Sequence, residues 1–189
     1  MIYYKKINLK CLSELQDYLF NYINKSLQSL EILEVSTPIV VLPDKLLNLV
    51  NNELNLYKIP DIDYCRIYLW PKGSVQPVHV DGSTTILHCA INIPLYGGEH
   101  SKFQWYNGNF ELESVNLIKT NQVAYHIKWH TPPRIADSIE IKDGCYLVRI
   151  DKPHQAIAST DSDRWVFTMR FKENPTFEDL YDKLSTSTL

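Results

Sequence analysis

Beyond Pro60 the sequence breaks into seven short runs, each with the composition of a β-strand. The runs are rich in β-branched and aromatic residues and are separated by glycine, proline and polar residues: DYCRIYLW, VQPVHV, TTILHCAINIPL, KFQWY, QVAYHIKW, CYLVRI and RWVFTMRF. No long helical pattern separates one run from the next, which disfavours alternating strand and helix units. The spacing therefore predicts an antiparallel β-sandwich or barrel.

The segments on either side of these runs have helical periodicity instead. Apolar residues at helical spacing predict a helix from Leu9 to about Leu33 and another after Pro43, and PTFEDLYDKL predicts a last helix near the end. A length of 189 residues suits one domain with a sizeable core. We expect a single domain spanning residues 1–189, made of an N-terminal helical region (residues 1–60), a β core (residues 61–172), and a C-terminal helix and tail (residues 173–189).

Composition indicates a folded chain without a strong overall electrostatic field. The apolar fraction is 44% and the formal net charge is -3, so no global basic field indicates a nucleic-acid partner. No apolar run reaches the roughly 20 residues needed to span a bilayer, and MIYYKKINLK lacks the apolar core of a secretory signal. We therefore expect a soluble, cytoplasmic protein that does not enter a membrane.

The four cysteines are far apart and contain no C-x-x-C pair, which disfavours a zinc ribbon or a thioredoxin-type site. We expect them to be small buried thiols in a reducing compartment. They are Cys11, Cys65, Cys89 and Cys145.

A possible metal site begins in PVHVDG. Residues two apart on a strand project to the same side, so His79 and Asp81 can face one point while Val80 faces away. An imidazole and a carboxylate that converge there offer two ligands to a divalent metal. Gly82 would let the chain turn sharply after the second ligand.

A third ligand is available in RIDKPHQAIAST, where His154 follows a predicted strand and a proline. Two histidines and one carboxylate on one face of an iron(II) ion leave three coordination positions open, as non-haem oxygenases require. Ten residues later comes Arg164, whose guanidinium could bind the remote carboxylate of a dicarboxylic keto acid. Arg170 shares the strand parity of Arg164 and is a rival for that role.

In order along the chain, these residues resemble the iron(II) and 2-oxoglutarate-dependent oxygenases, whose pattern is H-x-D, a distal histidine and an arginine about ten residues later. The matching positions are His79, Asp81, His154 and Arg164. The resemblance covers roughly residues 62 to 172 and is nearest to the phytanoyl-CoA and aspartyl hydroxylase-like branches. It implies a mainly β fold with flanking α-helices: a double-stranded β-helix, jelly-roll and cupin-like, with the N-terminal helices packed outside.

The resemblance also implies the reaction and its cofactors. Iron(II), the cosubstrate 2-oxoglutarate and O2 would together hydroxylate a small-molecule or peptidyl substrate, with release of succinate and CO2. Tyr68 and Asn92 lie on predicted strands that flank the H-x-D segment, where they could hydrogen-bond the cosubstrate's carboxylates.

Two other interpretations remain open at this point. A cupin-like module could bind a metal or a small acid without turnover, and a metal-dependent hydrolase or isomerase could use the same scaffold without oxygen. His126 and His130 have the i, i+4 spacing of a metal pair on a helix, but VAYHIKWH indicates a strand, so we do not expect a second metal site there.

Overall fold

The computed structural model describes residues 1–26, 39–82, 85–117 and 122–186. Within these ranges the chain forms two six-stranded antiparallel sheets and three helices, so the predicted fold class, mainly β with flanking helices, is confirmed. The elements are β1 (Tyr4–Ile7), α1 (Leu12–Ser26), β2 (Ile39–Val40), α2 (Asp44–Leu56), β3 (Ile62–Trp70), β4 (His79–Asp81), β5 (Cys89–Tyr96), β6 (Lys102–Asn107), β7 (Phe110–Leu117), β8 (Gln122–Trp129), β9 (Arg134–Ile139), β10 (Cys145–Arg149), β11 (His154–Ile157), β12 (Arg164–Phe171) and α3 (Phe177–Thr186).

Strand order identifies the architecture. The first sheet, sheet 1, has the order β1-β10-β5-β12-β3-β2, and the second, sheet 2, has the order β7-β8-β4-β11-β6-β9. From β3 to β6 and again from β9 to β12, consecutive strands alternate between the two sheets, and each pairs with an antiparallel partner from the other half. This is the eight-stranded jelly roll, or double-stranded β-helix, that the resemblance implied, and it agrees with the antiparallel sandwich or barrel that the strand spacing predicted. The β7–β8 hairpin is an addition that pairs with β4.

Side-chain alternation along β12 separates two cores. Phe167 and Met169 are fully buried on the outer face of sheet 1, against the helices, and the residues that alternate with them, such as Thr168, face sheet 2. The outer core also contains Leu19 of α1, Val50 of α2 and Leu180 of α3, all fully buried. The helices therefore pack outside the jelly roll, as expected, and leave the space between the sheets to other side chains.

The helices agree with the sequence where they can be compared. Asp44–Leu56 begins directly after Pro43, and Phe177–Thr186 is the expected last helix. The first helix is described as Leu12–Ser26, and its predicted extension towards Leu33 lies outside the described residues, as do residues 187–189 of the tail. No described helix has both the length and the apolar character needed to cross a bilayer.

Five of the described strands were not predicted: β1, β2, β7, β9 and β11. The first two are short additions to the edges of sheet 1 within the N-terminal region that the sequence indicated as helical. The four cysteines are unpaired and buried, as predicted.

Candidate metal centre

His79 and His154 lie directly opposite each other on neighbouring strands of sheet 2. The first begins β4 and the second begins β11, and the antiparallel pairing of these strands puts the two residues in register. Cross-strand partners share one face of a sheet, and Asp81, two residues after His79, shares that face too. The pleat of two strands distant in sequence therefore brings all three predicted ligands to one place.

The potential ligand atoms of these three side chains lie within 4.8 Å of one another. Nε2 of His79 is 3.0 Å and Nε2 of His154 is 3.9 Å from Oδ1 of Asp81. Bonds of about 2.1 Å would put neighbouring ligands of one metal roughly 3 Å apart, so the donor set fits a divalent cation. Both imidazoles are at most 6% exposed, which excludes a pair on the protein surface.

Backbone carbonyls fix the orientation of both imidazoles. Nδ1 of His79 is 2.9 Å from the carbonyl oxygen of Pro77, and Nδ1 of His154 is 2.8 Å from that of Lys152. A carbonyl can only accept, so each Nδ1–H donates, and Nε2 is the nitrogen that each imidazole can offer to a metal. In each case the partner is two residues earlier, and this support turns Nε2 towards Asp81.

The charge on Asp81 is held by an arginine from the opposite sheet. Nη2 of Arg170 donates to Oδ2 of Asp81 at 2.6 Å, which leaves Oδ1 facing the histidines. Burial raises the pKa of Asp81, but the Arg170 guanidinium and the two imidazoles outweigh burial and hold that pKa well below its usual range. Burial, followed by the nearby His79, lowers the pKa of His154 to about 3, so this imidazole is neutral at pH 7.

Gly82 ends the H-x-D segment with a φ of +142°, the region that favours glycine. A Cβ at this position would collide with the carbonyl oxygen of Thr85. The chain therefore turns away immediately after Asp81, as the sequence indicated.

The two candidate arginines differ in their partners. Both face the space between the sheets from β12, but Arg170 is paired with Asp81, whereas Arg164 makes no ion pair within the described ranges. Arg164 is 3% exposed, its Nε has no hydrogen-bond partner, and burial alone lowers its pKa to about 10. The nearby carboxylate of Asp163 accepts instead from the backbone of Lys72, at 2.8 Å.

Tyr68 and Asn92 also belong to the inner face of sheet 1. They lie opposite Val166 and Thr168 of β12, respectively. Oδ1 of Asn92 accepts from the Thr168 hydroxyl at 2.7 Å, so its amide nitrogen remains a donor, and burial raises the pKa of Tyr68. With the two arginines, these residues make this inner face unusually polar for a sandwich interior.

Two further features concern residues beside His79. His126 on β8 lies opposite His79 but is not part of the group of converging ligands. Nε2 of His130, just after β8, lies 3.5 Å from Oε2 of Glu111. VAYHIKW is part of a strand, as predicted. The sequence did not indicate Gln76, whose Nε2 is 3.0 Å from Nε2 of His79. Strand alternation would put residues three apart on opposite faces, and Gln76 escapes that rule because it precedes β4.

The arrangement thus defines a class: a double-stranded β-helix with two histidines and an aspartate converging between its sheets. No protein-family model and no curated protein matches the sequence significantly. Solved structures similar to this chain include the viral collagen prolyl hydroxylase of Paramecium bursaria Chlorella virus-1, with a TM-score of 0.49 and 13% identity over 89% of this chain and 94% of the other. An oxidoreductase of the 2OG-Fe(II) oxygenase family from Burkholderia pseudomallei has a TM-score of 0.49 and 10% identity, over 92% and 86% of the two chains.

Hazelnut vicilin is also similar, with a TM-score of 0.39 and 13% identity over 76% of this chain. This chain spans 30% of the length of vicilin. Similarity this distant does not assign a reaction, so the functional assignment has to come from the site itself.

Proposed function

We propose that this protein is a non-haem iron(II) and 2-oxoglutarate-dependent oxygenase. The observation that carries the proposal is the convergence of Nε2 of His79, Oδ1 of Asp81 and Nε2 of His154 on one buried point. Three such ligands on one face suit iron(II) and leave coordination positions for other molecules. The carbonyls of Pro77 and Lys152 prepare both imidazoles for metal binding before any metal arrives.

Arg164 favours a cosubstrate with a remote carboxylate. A buried guanidinium without a counter-charge is costly, and an anionic ligand that supplies two acceptor oxygens would offset that cost. We assign this role to Arg164 rather than Arg170, because Arg170 already binds Asp81. Tyr68 and the amide nitrogen of Asn92 are the further donors proposed for the carboxylates of 2-oxoglutarate.

When bound, iron with 2-oxoglutarate and O2 would supply an oxidant that hydroxylates a substrate carbon, with release of succinate and CO2. The chain's own contribution is orientation and the exclusion of water. Phe103 stacks on the His154 ring with centroids 5.1 Å apart, and Trp105, fully buried, lies opposite His154 on β6. These rings make one side of the site apolar.

The proposed substrate is a small molecule or a peptide, and the proposed location is the cytoplasm. The four unpaired thiols suit a reducing compartment. The contacts of the site support neither the phytanoyl-CoA nor the aspartyl hydroxylase-like branch in particular, so both remain within the proposal.

Anaerobic titration tests the proposal. Iron(II) and 2-oxoglutarate should together give wild-type protein a weak visible charge-transfer band. Asp81→Ala should give no band, and Arg164→Leu should need at least tenfold more 2-oxoglutarate. The matched control is Arg134→Leu, which removes an exposed arginine from β9 and should behave as wild type. Folded wild-type protein that gives no band would contradict the assignment.

The main alternative is a cupin-like module that binds a metal or a small acid without turnover. Oxygen separates the two functions, because an oxygenase releases succinate when air is admitted and a binding module releases none above the buffer. The measurement should be repeated with small-molecule and peptide libraries, since substrate accelerates the release.

A further inference from the structure

We propose that Gln76 competes with a metal for Nε2 of His79. Its side-chain amide donates a hydrogen bond to that nitrogen in the metal-free protein and donates to an oxygen ligand once a metal is bound. The inference rests on the proposed metal site and adds a residue that the H-x-D and distal-histidine pattern does not contain. It makes Gln76 a positioning residue for the ligand that shares the metal.

Gln76 is clamped to the strand that carries His154. Its backbone N–H donates to the carbonyl oxygen of Ala156 at 2.9 Å, and the backbone N–H of Ala156 donates to Oε1 of Gln76 at 3.2 Å. Ala156 is two residues beyond His154 on β11. Both the backbone and the side chain of Gln76 are therefore fixed relative to the proposed ligands.

The clamp determines which end of the amide faces the site. A backbone N–H can only donate, so the atom beside Ala156 must be the oxygen and the atom beside His79 must be the nitrogen. That nitrogen lies 3.0 Å from Nε2 of His79. Nδ1–H of His79 already donates to Pro77, so the neutral imidazole has its lone pair on Nε2, which accepts from Gln76. Oδ1 of Asp81 lies 3.0 Å from the same nitrogen, but a carboxylate oxygen can only accept, which leaves Gln76 as the donor.

A metal bound to Nε2 of His79 removes this acceptor from Gln76. The amide nitrogen has no available lone pair, so Gln76 cannot become a fourth ligand while Ala156 holds its oxygen. Its N–H is left beside the metal without a partner, and a half-buried donor of this kind favours a carboxylate or keto oxygen on a neighbouring coordination position. Gln76 should thus oppose metal entry and favour an oxygen-donor ligand afterwards.

A titration of the chelator-treated protein with manganese(II) tests whether Gln76 opposes metal binding. Binding is measured as the loss of the electron paramagnetic resonance signal of the free ion. Gln76→Leu removes the competing hydrogen bond and should bind manganese about two- to tenfold more tightly than wild type. Gln76→Glu can keep the bond from Ala156 and presents a carboxylate oxygen to the metal, so it should bind manganese at least tenfold more tightly.

Calorimetric titration of the manganese-loaded proteins with 2-oxoglutarate tests whether Gln76 favours an oxygen-donor ligand. Gln76→Leu should bind it about two- to tenfold more weakly, because the donor is lost, and Gln76→Glu more weakly still, because like charges meet.

The matched controls are Gln155→Leu and Gln155→Glu. Gln155 lies on the same strand as His154, but its side chain contacts Gln104 and Tyr106 on the other face of sheet 2. Both controls should match wild type in both titrations.

The outcomes separate this inference from the proposed function. Wild-type protein that binds no manganese would overturn both. If wild type binds manganese, the role of Gln76 is overturned when Gln76→Leu has the manganese affinity of wild type. It is also overturned when this variant has the 2-oxoglutarate affinity of wild type. In both cases the proposed metal site is retained. Gln76→Glu guards against misfolding, since it preserves the clamp to Ala156.

Discussion

Breaking the contact between Arg170 and Asp81 should destabilise the metal-free protein far more than removing both residues. Arg170 and Asp81 are 8% and 19% exposed, and 2.6 Å separates the donor from the acceptor. Removing one partner of a buried ion pair costs about 3 to 5 kcal/mol, because the other charge stays buried, and partial exposure puts this pair at the lower end, near 3 kcal/mol. Replacing both with apolar residues of similar size is often close to neutral.

A double-mutant cycle in urea, with a chelator present, measures this coupling. Arg170→Met and Asp81→Leu should each lower the free energy of unfolding by about 3 kcal/mol, and the double variant should lose less than either single variant. The interpretation is refuted if the loss in the double variant equals the sum of the two single losses.

The same cycle has a pH signature whose sign follows from Asp81. Its pKa is depressed in the folded protein, so its contribution to stability is present above the unfolded pKa, near 4, and is lost as the pH falls below that value. In Arg170→Met the largest opposing charge is gone and burial raises the pKa of Asp81. The stability deficit of this variant relative to wild type should therefore shrink as the pH falls from 7 to 5.

Three further results are expected. Arg164→Leu should raise the free energy of unfolding of the ligand-free protein by about 1 to 2 kcal/mol in urea, because it removes a buried guanidinium whose Nε has no hydrogen-bond partner. The same variant should weaken the proposed binding of 2-oxoglutarate, and a loss of stability would contradict the prediction. Manganese(II) at 100 times its dissociation constant should stabilise wild type by about 2.7 kcal/mol and raise Tm by roughly 5 to 10 °C, and His79→Ala should abolish the shift. Burial raises the pKa of Cys65 and Cys89 to about 12, so a thiol reagent at pH 8 should label them in urea but not in the native protein; rapid native labelling would show the burial to be wrong.

The strands that the sequence predicts best are those with a high content of β-branched and aromatic residues. RWVFTMRF and QVAYHIKW correspond residue for residue to β12 and β8. By contrast, FELESVNL and RIADSI form β7 and β9 at the edges of sheet 2, where polar side chains are tolerated. On β7, Glu111 is satisfied by a cross-strand ion pair with Lys128 at 2.6 Å, which no hydrophobic pattern reveals.

Sequence reasoning brought the three proposed ligands together but could not choose between the two arginines. The parity of β12 gives Arg164 and Arg170 the same face, and only the packing of sheet 2 against sheet 1 brings Arg170 to Asp81. The position of Gln76 beside His79 could not be predicted for a similar reason. Its role depends on a hydrogen bond to Ala156, a residue 80 positions away along the chain.

The added hairpin is joined to the jelly roll at a critical place. β8 pairs with β4 through three consecutive residues, and these are His79, Val80 and Asp81. Hydrogen exchange of the backbone amides of β8 is therefore sensitive to the stability of β4, the strand that carries two of the proposed metal ligands. Metal binding should slow deuterium uptake in β8 as well as in β4. Hydrogen exchange in the added hairpin would then measure how much of the metal site is occupied.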